Sequence, residues 1–215
     1  MVVCLPAGLP DDLLTGDRLD AHFGVTGTLT PLFWAAPRLR RWQRHQMIGL
    51  RAGRPVPCAG GPVRLLDLAG MRHAAAVGAG IRYQVWHRVV HGTRPALPWP
   101  AFETRHLADP HRYTLDQASA DFHAQPRVHA MRLHAATTGP GQPSVGELEM
   151  IQAGQIAYQH YRAASAVAAD AMLTADGRRL APASDILAHR ITYLDQALAH
   201  LAALGPNQRL LAVTV

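Results

Sequence analysis

The most informative absence in this 215-residue chain is lysine, since all 21 of its basic residues are arginine. Without lysine, a Schiff base, a pyridoxal-phosphate anchor and a Walker-type phosphate loop are excluded. Serine occurs four times and never within G-x-S-x-G, which excludes the nucleophile elbow of an α/β-hydrolase. Histidine and carboxylate side chains are therefore the main candidates for chemistry.

Cysteine is also scarce, with Cys4 and Cys58 as the two in the chain. Two cysteines so far apart exclude a cysteine-rich structural zinc site, while a disulfide between them stays open. The first residues do not read as a secretory signal, and no apolar run approaches the roughly 18 residues of a membrane span. We therefore expect a cytoplasmic protein without a membrane-spanning helix.

Proline and glycine clusters divide the first two thirds of the chain, and the segments between them have helical periodicity. The predicted helices lie near 11–22, 37–52, 65–91, 114–123, 126–136, 144–174 and 183–204. The two ends, 1–5 and 210–215, look extended and either pair as a small sheet or pack as tails. The sequence thus predicts an all-α fold, a single-domain helical bundle with a long helix pair at 144–204 and a minor strand pair from the termini.

The long helices have the clearest pattern. Apolar residues over 187–201 alternate spacings of four and three and form one stripe. The preceding helix begins at Ser144, which is expected to form a capping box with Glu147. The small-residue face of that helix also carries Glu149 and His160, so both polar side chains are expected to face the bundle interior.

Histidine is abundant, and two of the 13 lie four residues apart on a predicted helix. His87 and His91 project from one side of that helix, where they would grip one metal ion or flank a haem. We expect a small-molecule redox enzyme with a histidine-ligated haem or non-haem iron centre, in which arginines hold the haem propionates. The cofactor-binding candidates are His91, Arg82 and Arg88, and the catalytic candidates are His87, His160 and Glu149.

A second arrangement points to iron more directly. Glu103 and His106 form an ExxH pair, which in bundles that bind two iron or manganese ions presents a carboxylate and an imidazole from one helical turn. Glu149 and the pair of Asp185 and His189 would complete the metal site. The order ExxH, Glu, DxxxH resembles that of di-iron oxidases with a haem-oxygenase-like helical fold, at these positions alone.

Charge is distributed unevenly along the chain. The basic half, residues 21–102, contains eleven arginines and one acid, Asp67. Its densest part predicts an alternative function, a nucleic-acid-binding module or helical ribonuclease that uses the arginine segment 38–54. The candidates for phosphate contacts are Arg38, Arg40, Arg41, Arg44 and Arg51.

Two further observations concern partners. The R-x4-H spacing that begins at Arg40 and at Arg82 resembles that of HEPN-type ribonucleases. A basic surface also attracts acidic small molecules or the acidic part of a second subunit. We therefore expect a small acidic ligand, with nucleic acid or a homo-oligomer as the alternatives.

Overall fold

A computed structural model describes residues 1–6, 24, 27–138 and 143–214. They belong to two compact units: unit 1 contains Met1–Ala75 and Arg162–Val215, and unit 2 contains Ala76–Tyr161. The helix predicted near 11–22 lies outside the described residues. Unit 1 holds the β-structure, and the described part of unit 2 is helical.

Unit 1 is built on a mixed β-sheet. The strands are, in chain order, β1 (Val2–Leu5), β2 (Thr28–Leu29), β3 (Phe33–Trp34), β4 (Pro57–Cys58), β5 (Gly60–Pro62), β6 (Met172–Leu173), β7 (Arg179–Leu180) and β8 (Arg209–Thr214). β8 pairs antiparallel with β1, β2 and β5. β1 also pairs parallel with β6, which pairs antiparallel with β7. β3 and β4 form a separate two-stranded sheet.

The prediction of an all-α fold is therefore wrong, because a six-stranded sheet organises unit 1. The two ends of the chain do pair, with Val2 opposite Ala212 and Leu5 opposite Arg209. They form the centre of the sheet rather than a minor addition to a bundle. Most of the other strands are two residues long, too short for the alternating pattern that identifies a strand.

The central strands are covered on both faces. One face contributes an apolar cluster of Val3, Leu5, Leu173, Leu211 and Val213. The alternate residues of β1 and β8 are buried as well. Strands that are buried on both faces have continuous apolar sequences, which explains why the two ends of the chain are apolar throughout.

The helices are α1 (Leu68–Val89), α2 (Trp99–Ala108), α3 (Leu115–Ala124), α4 (Pro126–Thr138), α5 (Val145–Gln152), α6 (Gln155–Ala168) and α7 (Leu187–Ala203). The continuous helix predicted over 144–174 is divided after α5, where Gly154 has a φ of 112° that favours glycine. The helix predicted over 37–52 is also wrong, since this segment contains a six-residue 3₁₀ helix, Arg41–Gln46.

The buried face of α7 differs from the predicted stripe. Leu194 and Leu201 are buried, but Ile191 is 37% exposed. Tyr193 is buried instead, and its hydroxyl donates a hydrogen bond to the Ala168 carbonyl oxygen at 2.6 Å. This hydrogen bond thus connects α7 to the last residue of α6.

An aromatic cluster holds α2 and α3 together in unit 2. Phe122 is fully buried, and the rings of Trp99 and Phe102 meet it edge-on at centroid distances of 5.6 and 5.8 Å. Ser144 is the N-cap of α5, and its hydroxyl oxygen accepts the backbone N–H of Glu147 at 3.1 Å, one of the two bonds of the predicted capping box.

Both cysteines are buried free thiols, so the disulfide left open by the sequence is not formed. Burial raises the pKa of Cys4 to about 12 and that of Cys58 to about 11. Among the helices that the structure describes, none has both the length and the apolar character needed to cross a membrane.

Candidate functional site

The two histidines with helical spacing, His87 and His91, line one cavity in unit 2. His87 lies in the last turns of α1, and His91 lies in the turn that follows the helix. The cavity has a volume of about 300 Å³. Its other polar side chains are Tyr83, Arg127 and Gln152, and Val90, Gly92, Met131 and Ile151 complete the lining.

The lining combines hydrogen-bond donors with an apolar floor. Arg127 carries a permanent charge, and the imidazoles and the Gln152 amide can donate hydrogen bonds. Met131 is 1% exposed and Ile151 is 7% exposed, so the floor is part of the core. None of the lining residues that the structure describes carries a carboxylate. This combination favours an anionic ligand with a small apolar part.

The Arg127 side chain is held in place by Thr93. Its Nε donates to the Thr93 hydroxyl oxygen at 3.1 Å, and one of its Nη atoms donates to the Thr93 carbonyl oxygen at 2.9 Å. The Thr93 hydroxyl in turn donates to the Val90 carbonyl oxygen at 2.6 Å. These bonds orient the guanidinium group, and its second Nη has no hydrogen-bond partner among the described residues.

A second concavity, of about 600 Å³, shares Tyr83 and His87 with the first. It is completed by Gln84 and Arg88 of α1 and by Gln155, the first residue of α6. These five residues, the part of its lining that the structure describes, are all polar, and none is a carboxylate. The shared rings have centroids 6.2 Å apart and planes inclined by 30°.

Arg82, a predicted cofactor ligand, belongs to a different network. Its Nη1 donates to Glu147 at 3.1 Å and to the Tyr158 hydroxyl oxygen at 3.2 Å. The Tyr158 hydroxyl donates to Glu147 at 2.6 Å, and burial and this bond raise the pKa of Tyr158 to about 12. The Trp86 ring stacks on Tyr158. This arrangement supports the packing of α1, α5 and α6 within unit 2.

Two of the predicted metal ligands of unit 2, Glu149 and His106, each have a hydrogen-bond partner of their own. Glu149 is 9% exposed, and its carboxylate accepts a hydrogen bond from the backbone N–H of Trp99 at 2.8 Å. Burial raises the pKa of Glu149, the Trp99 bond opposes that shift, and the charge of Glu103 adds to it. The Nδ1 of His106 lies 2.8 Å from the Tyr113 carbonyl oxygen.

The other predicted ligands are at exposed positions. Asp185 and His189 belong to unit 1, where the Ser184 hydroxyl lies 2.8 Å from the Nδ1 of His189. His160 is exposed on α6, and the neighbouring Ile156 is 73% exposed. The helix face that the periodicity predicted to be buried is therefore exposed at Ile156 and His160.

The metal-binding prediction is wrong for the described residues. No group of three or more histidine, cysteine, aspartate or glutamate side chains that could hold a metal ion occurs among them. Neither Glu103, His106 and Glu149 of unit 2 nor Asp185 and His189 of unit 1 belong to such a group. The description of the protein as an iron oxidoreductase loses the ligand cluster on which it rested, and the described residues give no evidence for haem.

The arginine segment 38–54 lies in unit 1. All the predicted phosphate contacts, Arg38, Arg40, Arg41, Arg44 and Arg51, are exposed. Trp42, in the middle of these arginines, is 59% exposed. The 3₁₀ helix is braced at its start by the Arg40 N–H, which donates to the Gln43 side chain at 2.9 Å.

Sequence reasoning missed four of the cavity side chains, namely Tyr83, Arg127, Gln152 and Gln155. Tyr83 precedes His87 by four residues, and this spacing on a helix was available as a signal. Arg127 belongs to α4, and no local sequence motif relates it to the two histidines of the cavity. Its place beside them follows only from its hydrogen bonds to Thr93 in the structure.

The chain matches no protein-family model, no curated protein and no solved structure.

Proposed function

We propose that unit 2 binds a small anionic molecule in the cavity between His87, His91 and Arg127. The observation that carries the proposal is the composition of the lining, where the described residues include an oriented arginine and two imidazoles but no carboxylate. Hydrogen bonds from a cationic donor to an anion are about twice as strong as neutral ones. The acidic small-molecule ligand expected from the sequence is therefore proposed to bind in this cavity.

The anion proposed here is a phosphate or a carboxylate group on a small organic body. Arg127 supplies a guanidinium donor whose direction is set by Thr93. His87 and His91 approach from α1 and the turn after it, and the apolar body lies against Met131 and Ile151. A cavity of about 300 Å³ lies at the small end of the usual size range for ligand pockets.

Isothermal titration with glycerol 3-phosphate at low ionic strength tests this proposal. We expect saturable binding, and we expect Arg127→Gln to weaken it about tenfold or more, because one charge-assisted hydrogen bond contributes about 1.5–3 kcal/mol. His91→Asn is expected to weaken it less. Arg112→Gln, at an exposed arginine of unit 2 outside the cavity, is the matched control and should bind like the unmodified chain.

The proposal fails if glycerol 3-phosphate does not saturate the protein. It also fails if Arg112→Gln and Arg127→Gln lose the same affinity, since the binding would then reflect net charge. Thermal melts of each variant separate a loss of binding from a loss of folding. The haem or iron cofactor and the redox reaction stay predictions, and no part of this binding site requires them.

A second candidate function rests on the arginine segment 38–54. Exposed arginines that flank an exposed tryptophan suit single-stranded nucleic acid, because arginine contacts phosphates and an aromatic ring stacks on bases. We expect an oligothymidine to quench the fluorescence of the chain, with an affinity that falls steeply with salt. Replacing Arg40 and Arg41 by alanine should abolish most of this binding.

The matched control replaces Arg178 and Arg179, an adjacent pair of exposed arginines in the same unit. Equal losses in the two double variants, or an affinity independent of salt, would reject this second function.

We also propose that the protein is cytoplasmic. The free thiols of Cys4 and Cys58 support this compartment, since such thiols suit a reducing environment.

A further inference from the structure

The two concavities of unit 2 meet at a pair of aromatic rings. Tyr83 and His87 line both of them, and their ring planes are inclined by only 30°. A ligand that occupies both concavities must therefore pass across these rings. A flat aromatic group is the kind of ligand that gains most from such a position, because it can stack on an aromatic face.

The chemistry on the two sides of the rings differs. The smaller cavity carries the donors for an anion, Arg127 and His91. The larger concavity carries the carboxamides of Gln84 and Gln155 beside Arg88. A carboxamide both donates and accepts hydrogen bonds, which suits the edge of a heterocyclic base. A ligand that fits both concavities therefore combines an anionic group, a planar heterocycle and a spacer between them.

From this arrangement we infer that the ligand is a nucleoside monophosphate. Its phosphate binds to Arg127 and His91, its base lies against Tyr83 and its base edge faces Gln84 and Gln155. This inference rests on the proposed function, because the phosphate uses the same anion site. It adds a second contribution to affinity, from the base, that a sugar phosphate lacks.

The experiment compares two probes by titration against the full chain: adenosine monophosphate and ribose 5-phosphate. We expect adenosine monophosphate to bind more tightly than ribose 5-phosphate by a factor of about ten or more, since stacking of one base contributes about that factor. Tyr83→Leu should bring this ratio close to one. Arg127→Gln should weaken both phosphates by a similar factor and leave their ratio unchanged.

Each outcome has a distinct meaning. If ribose 5-phosphate binds as tightly as the nucleotide, the base makes no contribution, and the inference fails while the anion site stands. If neither phosphate binds, the inference and the proposed function fail together. Should Tyr83→Leu not fold, the double variant of Gln84→Ala and Gln155→Ala replaces it, and an unchanged ratio there overturns the inference.

Discussion

Replacing Gly60 by alanine is expected to destabilise unit 1 by about 3 kcal/mol or more, since backbone atoms have no room to move away from the added carbon. Gly60 lies in β5 opposite Leu211 of β8. A Cβ atom at this position would fall well inside van der Waals contact of the Leu210 carbonyl oxygen and only 3.0 Å from the Cα of Leu211. β8 also pairs with β1 and β2, so its displacement would disturb the whole sheet.

Gly78→Ala is the matched control for this substitution. A Cβ atom at Gly78 would have no neighbour within 4 Å among the described residues, and the residue lies within α1. Alanine should therefore increase stability by roughly 0.5–1 kcal/mol through its better helix propensity. Urea unfolding followed by circular dichroism measures both changes. A Gly60→Ala protein as stable as the unmodified chain would contradict the close approach of β5 to β8.

The second large effect is expected in unit 2, where Phe122→Ala should lower the free energy of unfolding by about 3–5 kcal/mol. The ring is fully buried and is the common contact of Trp99 and Phe102. Removing the Phe122 ring leaves a cavity between α2 and α3. It also removes the packing contact of Trp99, whose backbone N–H donates a hydrogen bond to the buried Glu149. The loss therefore combines transfer free energy, cavity formation and a weakened hydrogen bond.

Leu115→Ala, on the same helix, serves as the control for Phe122→Ala. Leu115 is 52% exposed, and exposed substitutions usually change stability by about 0.5 kcal/mol or less. Denaturant midpoints of the two variants give the comparison. If both variants lose the same stability, the aromatic cluster is not the centre of the α2–α3 packing.

The sequence predicts the helices of this protein better than its sheet, and Gly60 shows why. Gly60, Gly61 and Pro62 have the composition of a loop, yet they form β5. Glycine is required there by the close approach of Leu210, which belongs to a strand 150 positions along the chain. Contacts between such distant segments leave no local pattern, and the two-residue strands are too short to show one.

The same distinction applies to the candidate site. The spacing of His87 and His91 is a local feature, and both side chains line one cavity. Arg127 reaches that cavity through a different helix and is oriented by Thr93, 34 positions away. Spacing within a helix indicates each predicted pair of metal ligands, but it does not show whether separate pairs come together. Glu149 is an example, since its partner is the backbone of Trp99.

The central claim is that an anion binds at Arg127, His87 and His91 of unit 2. The most direct measurement is a titration of the ¹⁵N-labelled chain with inorganic phosphate, followed by amide chemical shifts. The account predicts saturable shifts at 83–93, 127 and 151–152, which disappear in Arg127→Gln. Shifts confined to the arginine segment 38–54, or no saturable shifts in unit 2, would contradict it.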